Sequence, residues 1–282
     1  MRRIELVITA DDFGIHRRRD AGIIEAFRRG AITQASLIVN GEHAARAANV
    51  AREVGLTLGL HLNFTEGATT APVATVRSLV DARGELLGKH GFRAAVRAGR
   101  ISADDLRREA FAQLGRFAEL TGAAATHVDG HQHAHALIYV ARAISPLLAS
   151  QGVRTTRIPH QRQVLRPANQ TARAFYETVS EEARAARPLF GAYGIRSVAA
   201  FVGLDLMGFD SSPSRLTDAL LGADSDAVEL MCHPGFPADA GDDFNRSGAR
   251  WHELSVLCAV QPRLSRHVSL KTFSTLSSEV LS

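Results

Sequence analysis

Short apolar runs rich in β-branched residues alternate with amphipathic stretches along almost the whole 282-residue chain, and no other feature narrows its fold as much. The runs are residues 4–10, 32–39, 56–62, 153–158, 198–204, 227–232 and 268–273, with a shorter one that starts at 123–125 and passes through Val128 to end near Asp129 and Gly130. Between them, Ile23, Ile24 and Phe27 share one face of a helix predicted at 20–29, which Gly30 can stop. An alanine-rich helix is expected at 43–54, before Gly55. Ser102, with Asp105 three residues on, has the form of a capping box. It opens a helix at 103–120, where Leu106, Ala110, Leu114 and Phe117 recur at helical spacing. Further helices are expected at 136–148, 168–186, 213–221 and 252–260.

Strands alternating with helices imply right-handed β–α–β units and a parallel sheet. Seven or eight such units favour an irregular (β/α) barrel, with parallel strands inside and helices outside, over an open doubly wound sheet. No G-x-G-x-x-G follows the first strand and no P-loop sequence appears, which counts against nucleotide folds. The chain reads as one domain, 1–282, with a single break around 65–100, where Gly, Pro, Thr and charge replace the rhythm and only 92–98 looks helical. An insertion at a strand end generally shapes a binding site rather than a core.

Composition removes several classes of function. Basic residues number 33 against 29 acidic ones, and only Lys89 and Lys271 are lysines. The arginines are scattered; the densest run, Arg17, Arg18 and Arg19, reads as a solvated first helical turn. Without a basic stripe interleaved with aromatics, nucleic acid is not an expected partner. No apolar run has the length of a membrane span, so no membrane association is expected. The first strand follows Met1 too closely for an export signal. Cys232 and Cys258 are expected to be free thiols in a reducing compartment, so the expected location is cytoplasmic.

The chemistry concentrates in residues 126–135, T-H-V-D-G-H-Q-H-A-H, which hold four of the twelve histidines. Imidazole is the commonest metal ligand and the side chain that titrates nearest neutral pH. The cluster lies where a predicted strand ends, the edge at which α/β sheets and barrels build their sites. Three other polar groups fall at predicted strand ends: Asp11 with Asp12, His61, and His233. In a parallel barrel these ends converge on one face. Neighbouring residues of a strand alternate sides, so Asp11 and Asp12 should not both point inward; one should bind metal and the other turn to solvent or to a neighbour. His131, His133 and His135 also alternate, so on an extended chain they would share a side and could form a different ligand set.

These segments carry a resemblance. T-A-D-D-F-G at 9–14, G-L-H-L-N at 59–63, the 126–135 stretch and E-L-M-C-H-P-G at 229–235 are similar, in order, to the signature segments of the YdjC-like carbohydrate deacetylases of the chitooligosaccharide-deacetylase type. The turn at Val39, Asn40 and Gly41 fits as well. The resemblance implies a barrel-like α/β fold, a divalent ion, and removal of acetyl from an N-acetylated amino sugar, with a homodimer left open. It implies Asp12, His61 and His131 as metal ligands, Asp11 as the base and His233 as the acid. It places His127, Asp129, His133 and His135 behind the ligands or facing substrate. The chain reads Asp-Gly-His where many relatives read Asp-Ser-His, which leaves the ligands but removes a hydroxyl.

The chemistry agrees with that assignment. Zn²⁺ on three protein ligands keeps an open position and brings the pKa of bound water to about 7. Two histidines favour Zn²⁺ over Mg²⁺, although relatives are described with Mg²⁺. Arg157, at the end of the 153–158 strand, could reach a substrate hydroxyl or carbonyl or sit in a surface salt bridge. Phe64, Phe236 and Trp251 are either sugar-stacking platforms or core. Two other classes stay open: a metal hydrolase that cuts a phosphoester or cyclic amide, and a non-catalytic sugar-binding relative. The presence of Asp11 and His233 beside the ligands argues against the second, since binding alone needs neither base nor acid.

Overall fold

The computed structural model describes residues 3–162, 166–239, 243–264 and 266–281. Its regular elements are β1 (Ile4–Phe13), α1 (Arg17–Arg28), β2 (Gln34–Leu37), α2 (Ala44–Val54), β3 (Thr57–Leu62), α3 (Gly88–Arg97), α4 (Ala103–Thr121), β4 (His127–Gly130), α5 (Ile138–Ser150), β5 (Thr155–Thr156), α6 (Gln170–Gly191), β6 (Ala200–Val202), α7 (Pro213–Leu221), β7 (Ala227–Cys232), α8 (Asp243–Arg246), α9 (Ala249–Leu264) and β8 (Val268–Lys271). The strands lie in the order β5-β4-β3-β2-β1-β7-β6, with β8 against the first half of β1. All seven pairings are parallel. The sheet curls into a half-barrel with the helices around it, the expected α/β architecture.

Several strands are shorter than the sequence suggests: β2 keeps Gln34–Leu37 of 32–39 and β8 Val268–Lys271 of 268–273. β5 keeps only Thr155 and Thr156, because Pro159, which has no N–H to pair, follows closely. β6 keeps Ala200–Val202. Between them the described ladder is interrupted, and a single bridge from Thr155 to Arg196 spans the gap. β4 starts later than expected, at His127, so its polar residues lie in the strand rather than after it. The loop at 236–248 contains the short helix α8.

Alternation along the strands separates two environments. One face is apolar: Leu6, Ile8, Ala35, Leu37, Leu60, Leu62, Val128, Val228 and Leu230 belong to the core under the helices. The other face, inside the curl, is polar and still buried: Thr9, Asp11, Gln34, Ser36, His61, His127, Asp129, Arg157 and Glu229. At its far end Val7, Val198, Ala227 and Phe273 close the interior. A barrel interior is usually filled by branched aliphatics; here the equivalent space holds charges that compensate one another.

Buried polar side chains of α4 fasten the insertion and the end of β3 that leads into it. Asp105 accepts from the Ser78 N–H and hydroxyl. Glu109 accepts the backbone N–H groups of Thr70 (2.8 Å) and Ala71 (2.9 Å). Gln113 accepts from the Asn63 N–H (2.9 Å) and donates to the Asn63 carbonyl (2.7 Å). α4 begins as its sequence implies, with Ser102 accepting from the Asp105 N–H.

Candidate metal centre and active site

The strand ends meet at a cavity of about 610 Å³ lined by Asp11, Asp12, His61, His131, His133 and His233, together with Glu66, Lys89, Arg19, Arg250, Phe175, Tyr176 and Phe244. A pocket of this size is in the range that encloses a small-molecule ligand.

Asp11 and Asp12 are both buried at this mouth, 2% and 4% exposed. The register of β1 slips between Ala10 and Phe13, and Asp12 has φ +66°, in the left-handed region. That irregularity breaks the alternation which would have sent one aspartate outward. The left-handed backbone is strained for a residue with a side chain, and such positions cluster at functional sites.

The two carboxylates are held differently. Arg157 grips Asp11 with both terminal nitrogens, Nη1 to Oδ2 at 2.6 Å and Nη2 to Oδ1 at 2.8 Å. Asp12 offers Oδ2 to Arg19 (3.1 Å) and Arg250 (3.3 Å). Its Oδ1 is buried and makes no hydrogen bond; His131 Nδ1 lies 2.7 Å away without hydrogen-bond geometry, and His61 Nε2 lies 3.5 Å away. Burial alone would raise the Asp12 carboxyl, but His131 and Arg19 hold it well below the usual range. Asp11 moves the other way: burial raises it and outweighs Arg157 and His61.

His61 gives Nδ1 to Asp129 Oδ1 at 2.6 Å, which leaves Nε2 for the mouth. Although burial disfavours the imidazolium, Asp129 and Asp11 push His61 up to about 10. Asp129 also accepts from Ser36 Oγ (2.6 Å) and pairs with Arg157 Nη2 (3.0 Å). Against burial, Arg157 and His61 hold it far below the usual carboxylate range. Arg157 completes its set with Nε on Glu229 Oε1 at 2.8 Å. Burial pushes Glu229 up to about 7 against that pairing.

Asp12, His61 and His131 bring one donor atom each within 4.8 Å of one another. The Oδ1 of Asp12, which meets only imidazole nitrogens, and the two imidazoles fit a divalent transition ion better than Mg²⁺, which prefers oxygen. Two deeper groups are equally compact: Asp11 with His61 and Asp129, and His127 with Asp129 and Glu229. Both include carboxylates already paired to the Arg157 guanidinium, which occupies the place of a cation.

The remaining predicted residues separate by depth. His133 lines the cavity. His127, Asp129, His135 and Arg157 lie beneath it: His127 stacks on Phe273 (centroids 3.7 Å apart) and touches Thr155, and His135 Nε2 meets the Arg157 carbonyl at 2.9 Å. Arg157 is 0% exposed, so it neither reaches a substrate nor forms a surface salt bridge; it is the internal counter-ion of three carboxylates. His131, His133 and His135 do not share a side either. Gln132 and His133 have φ of +52° and +59°, and this left-handed pair turns the chain between the imidazoles. Gly130 has its reason here: a Cβ would stand 2.5 Å from His135 Nδ1, so a serine in its place would collide with that ring.

His233 follows β7 on a turn seated against α1. A Cβ on Gly22 would fall 2.3 Å from the Gly235 Cα, so the helix and the turn touch backbone to backbone. His233 Nε2 lies 4.0 Å from Asp11 Oδ2. Burial, with Arg250 beside it, holds His233 well below the usual imidazole range.

Several site residues escaped the sequence reading. Arg19 is buried on Asp12, while Arg17 and Arg18 are the exposed members of that run, so the run is not wholly a solvated turn. Glu66, Lys89 and His90 come from the insertion, which does shape the cavity. Of the aromatics considered, Phe64 is core, stacked on Phe92, and Phe236 packs near the half-exposed Trp251; the cavity is lined instead by Phe175, Tyr176 and Phe244. Among the described residues no helix is long and apolar enough to cross a membrane.

Comparison with known proteins follows the same outline. The chain is 44% identical to the carbohydrate deacetylase of Mus musculus over 275 residues, covering 91% of this chain and 89% of that protein. It is 36% identical to the chitooligosaccharide deacetylase of Serratia marcescens over 149 residues, covering 52% and 57%. A crystal structure from Enterococcus faecalis V583, described as a candidate cellobiose-phosphate cleavage protein, superposes with a TM-score of 0.76 at 22% identity, over 98% of this chain and 99% of that one; it shares the fold. Residues 5–264 match the YdjC-like protein family, and the chain belongs to that family.

Proposed function

We propose that the chain is a carbohydrate deacetylase that removes acetyl from an N-acetylated amino sugar with the help of one divalent ion. What carries the reading is Asp12 Oδ1, a buried carboxylate oxygen with no hydrogen bond, facing His61 and His131 while Asp11 and His233 stand on the same wall. The names of the relatives support the carbohydrate and the acetyl group. Asp12, His61 and His131 would hold the ion. Once bound there, a divalent ion makes water acidic near neutral pH and polarises a carbonyl.

The chain's own groups then divide the proton work. Asp11 is the base: it accepts a proton from the attacking water at Oδ2, while Arg157 keeps the carboxylate oriented. His233 begins neutral, because its surroundings disfavour the imidazolium. Its Nε2 is 4.0 Å from Asp11 Oδ2, close enough to receive that proton after a small movement and deliver it to the sugar nitrogen. The water oxygen bonds to the acetyl carbon, the carbon–nitrogen bond breaks, and the nitrogen leaves with the relayed proton as a free amine beside acetic acid, which gives up the water's second proton to solvent to become acetate. Phe175 and Tyr176 from α6, with Lys89 from the insertion, form the wall against which the sugar would lie.

A panel of N-acetylated mono- and oligosaccharides assayed for free acetate tests this. Release should stop on chelation and return with Zn²⁺. Acetate release that is indifferent to chelation, or no release from any member of the panel, would overturn the reading.

A further inference from the structure

We infer that Glu66, four residues beyond the end of β3, is a positioning residue that selects which nitrogen of His131 faces the ion; this rests on the proposed ligand set. The two histidines of that set are oriented in opposite senses. His61 has Nδ1 on Asp129 (2.6 Å) and turns Nε2 to Asp12. His131 has Nε2 on Glu66 Oε2 (3.2 Å) and turns Nδ1 to Asp12. A carboxylate that accepts one ring N–H fixes the tautomer and leaves the other nitrogen as the lone-pair donor. An ion bound there would therefore meet Nε2 of His61 and Nδ1 of His131.

Glu66 is built into its place. The side-chain oxygen of Asn63 accepts the N–H groups of Thr65 (3.0 Å) and Glu66 (3.1 Å), and its amide donates to the Glu66 carbonyl (2.7 Å). Asn63 is itself fixed to Gln113 on α4. The second carboxylate oxygen of Glu66 accepts from the Gln132 amide, so the same residue steadies the left-handed turn that follows His131. Asp129 does the equivalent work for His61 from full burial, whereas the Glu66 side chain is 51% exposed. The insertion thus contributes to the metal centre as well as to the cavity wall.

The test is calorimetric titration of Zn²⁺ into the chelator-stripped full chain, as wild type, Glu66→Gln and Glu66→Ala, with ¹⁵N shifts of the histidine rings in the zinc-loaded wild type. Glu66→Ala is expected to weaken Zn²⁺ binding about 10- to 100-fold, the range for loss of such a partner. Glu66→Gln keeps an acceptor oxygen and should lie between the two. The ring shifts should show His131 protonated at Nε2 and metallated at Nδ1, and His61 the reverse. Affinities within about twofold of wild type in both variants, or His131 metallated at Nε2, would overturn the role of Glu66 alone. No Zn²⁺ binding by the wild type would bring down the ligand set and this inference together.

Discussion

At the floor of the barrel Arg157 touches Asp11, Asp129 and Glu229, so each carboxylate there has a cationic partner. At the mouth, a few ångströms away, Asp12 has one oxygen shared between Arg19 and Arg250 and one with no hydrogen bond at all. The residue types are the same, Asp, His and Arg, and so is the burial. The difference is the central cation: the Arg157 guanidinium sits among the floor's carboxylates, whereas Asp12 Oδ1 at the mouth faces only imidazole nitrogens. A cluster built around its own cation supports the structure around it; one whose inward oxygen meets only imidazoles has room for a metal ion. Asp11 joins the two, gripped by the floor and facing the mouth.

The comparison can be pressed hardest at Asp11. Asp11→Asn keeps the shape and an acceptor for Arg157 but cannot take a proton. It should retain its metal and lose roughly 10²–10⁴-fold in turnover, the span of one acid–base group. If elemental analysis instead finds the site emptied, Asp11 is a ligand and the division between floor and mouth is drawn in the wrong place.

His233→Ala should lose a similar factor on the amide. An acetyl ester of a good leaving phenol departs without being protonated, so the variant should be much less impaired on that substrate. Equal losses on ester and amide would move His233 from proton delivery to binding.

A smaller effect on the reaction and a larger one on stability is expected from the floor. Arg157→Met removes the guanidinium that three buried carboxylates share. Breaking a buried ion cluster from one side typically costs about 3–5 kcal/mol, to be read as a shift in the urea midpoint at unchanged slope. A variant as stable as wild type would mean that the floor does not depend on its charge pairing.

The separation of mouth from floor is also where the sequence was hardest to read. Strand ends, helix periodicity and the ordered motifs put Asp11, Asp12, His61, His131 and His233 on one edge, and the structure brings them to one cavity. Depth was not legible. His127 and His131 are four residues apart in one motif, yet one stacks under Phe273's ring and the other opens to the pocket. The period-two argument failed at Asp12 because a local slip in register is a tertiary feature with no composition of its own. Glu66 and Arg19 were missed for a similar reason: a glutamate in a polar loop and an arginine in a charged run look solvated until the fold turns them inward. Gly130 is the reverse case, a residue noted as a lost hydroxyl whose meaning is the space that His135 occupies.

The most direct test sets one histidine of the mouth against one of the floor. Metal stoichiometry and acetate release should be measured on the same preparations of wild type, His131→Ala and His127→Ala. Wild type and His127→Ala should each hold about one ion per chain, and His131→Ala should lose nearly all of both its metal and its acetate release. A His131→Ala protein that keeps its ion while His127→Ala loses it would place the metal on the floor and contradict the account.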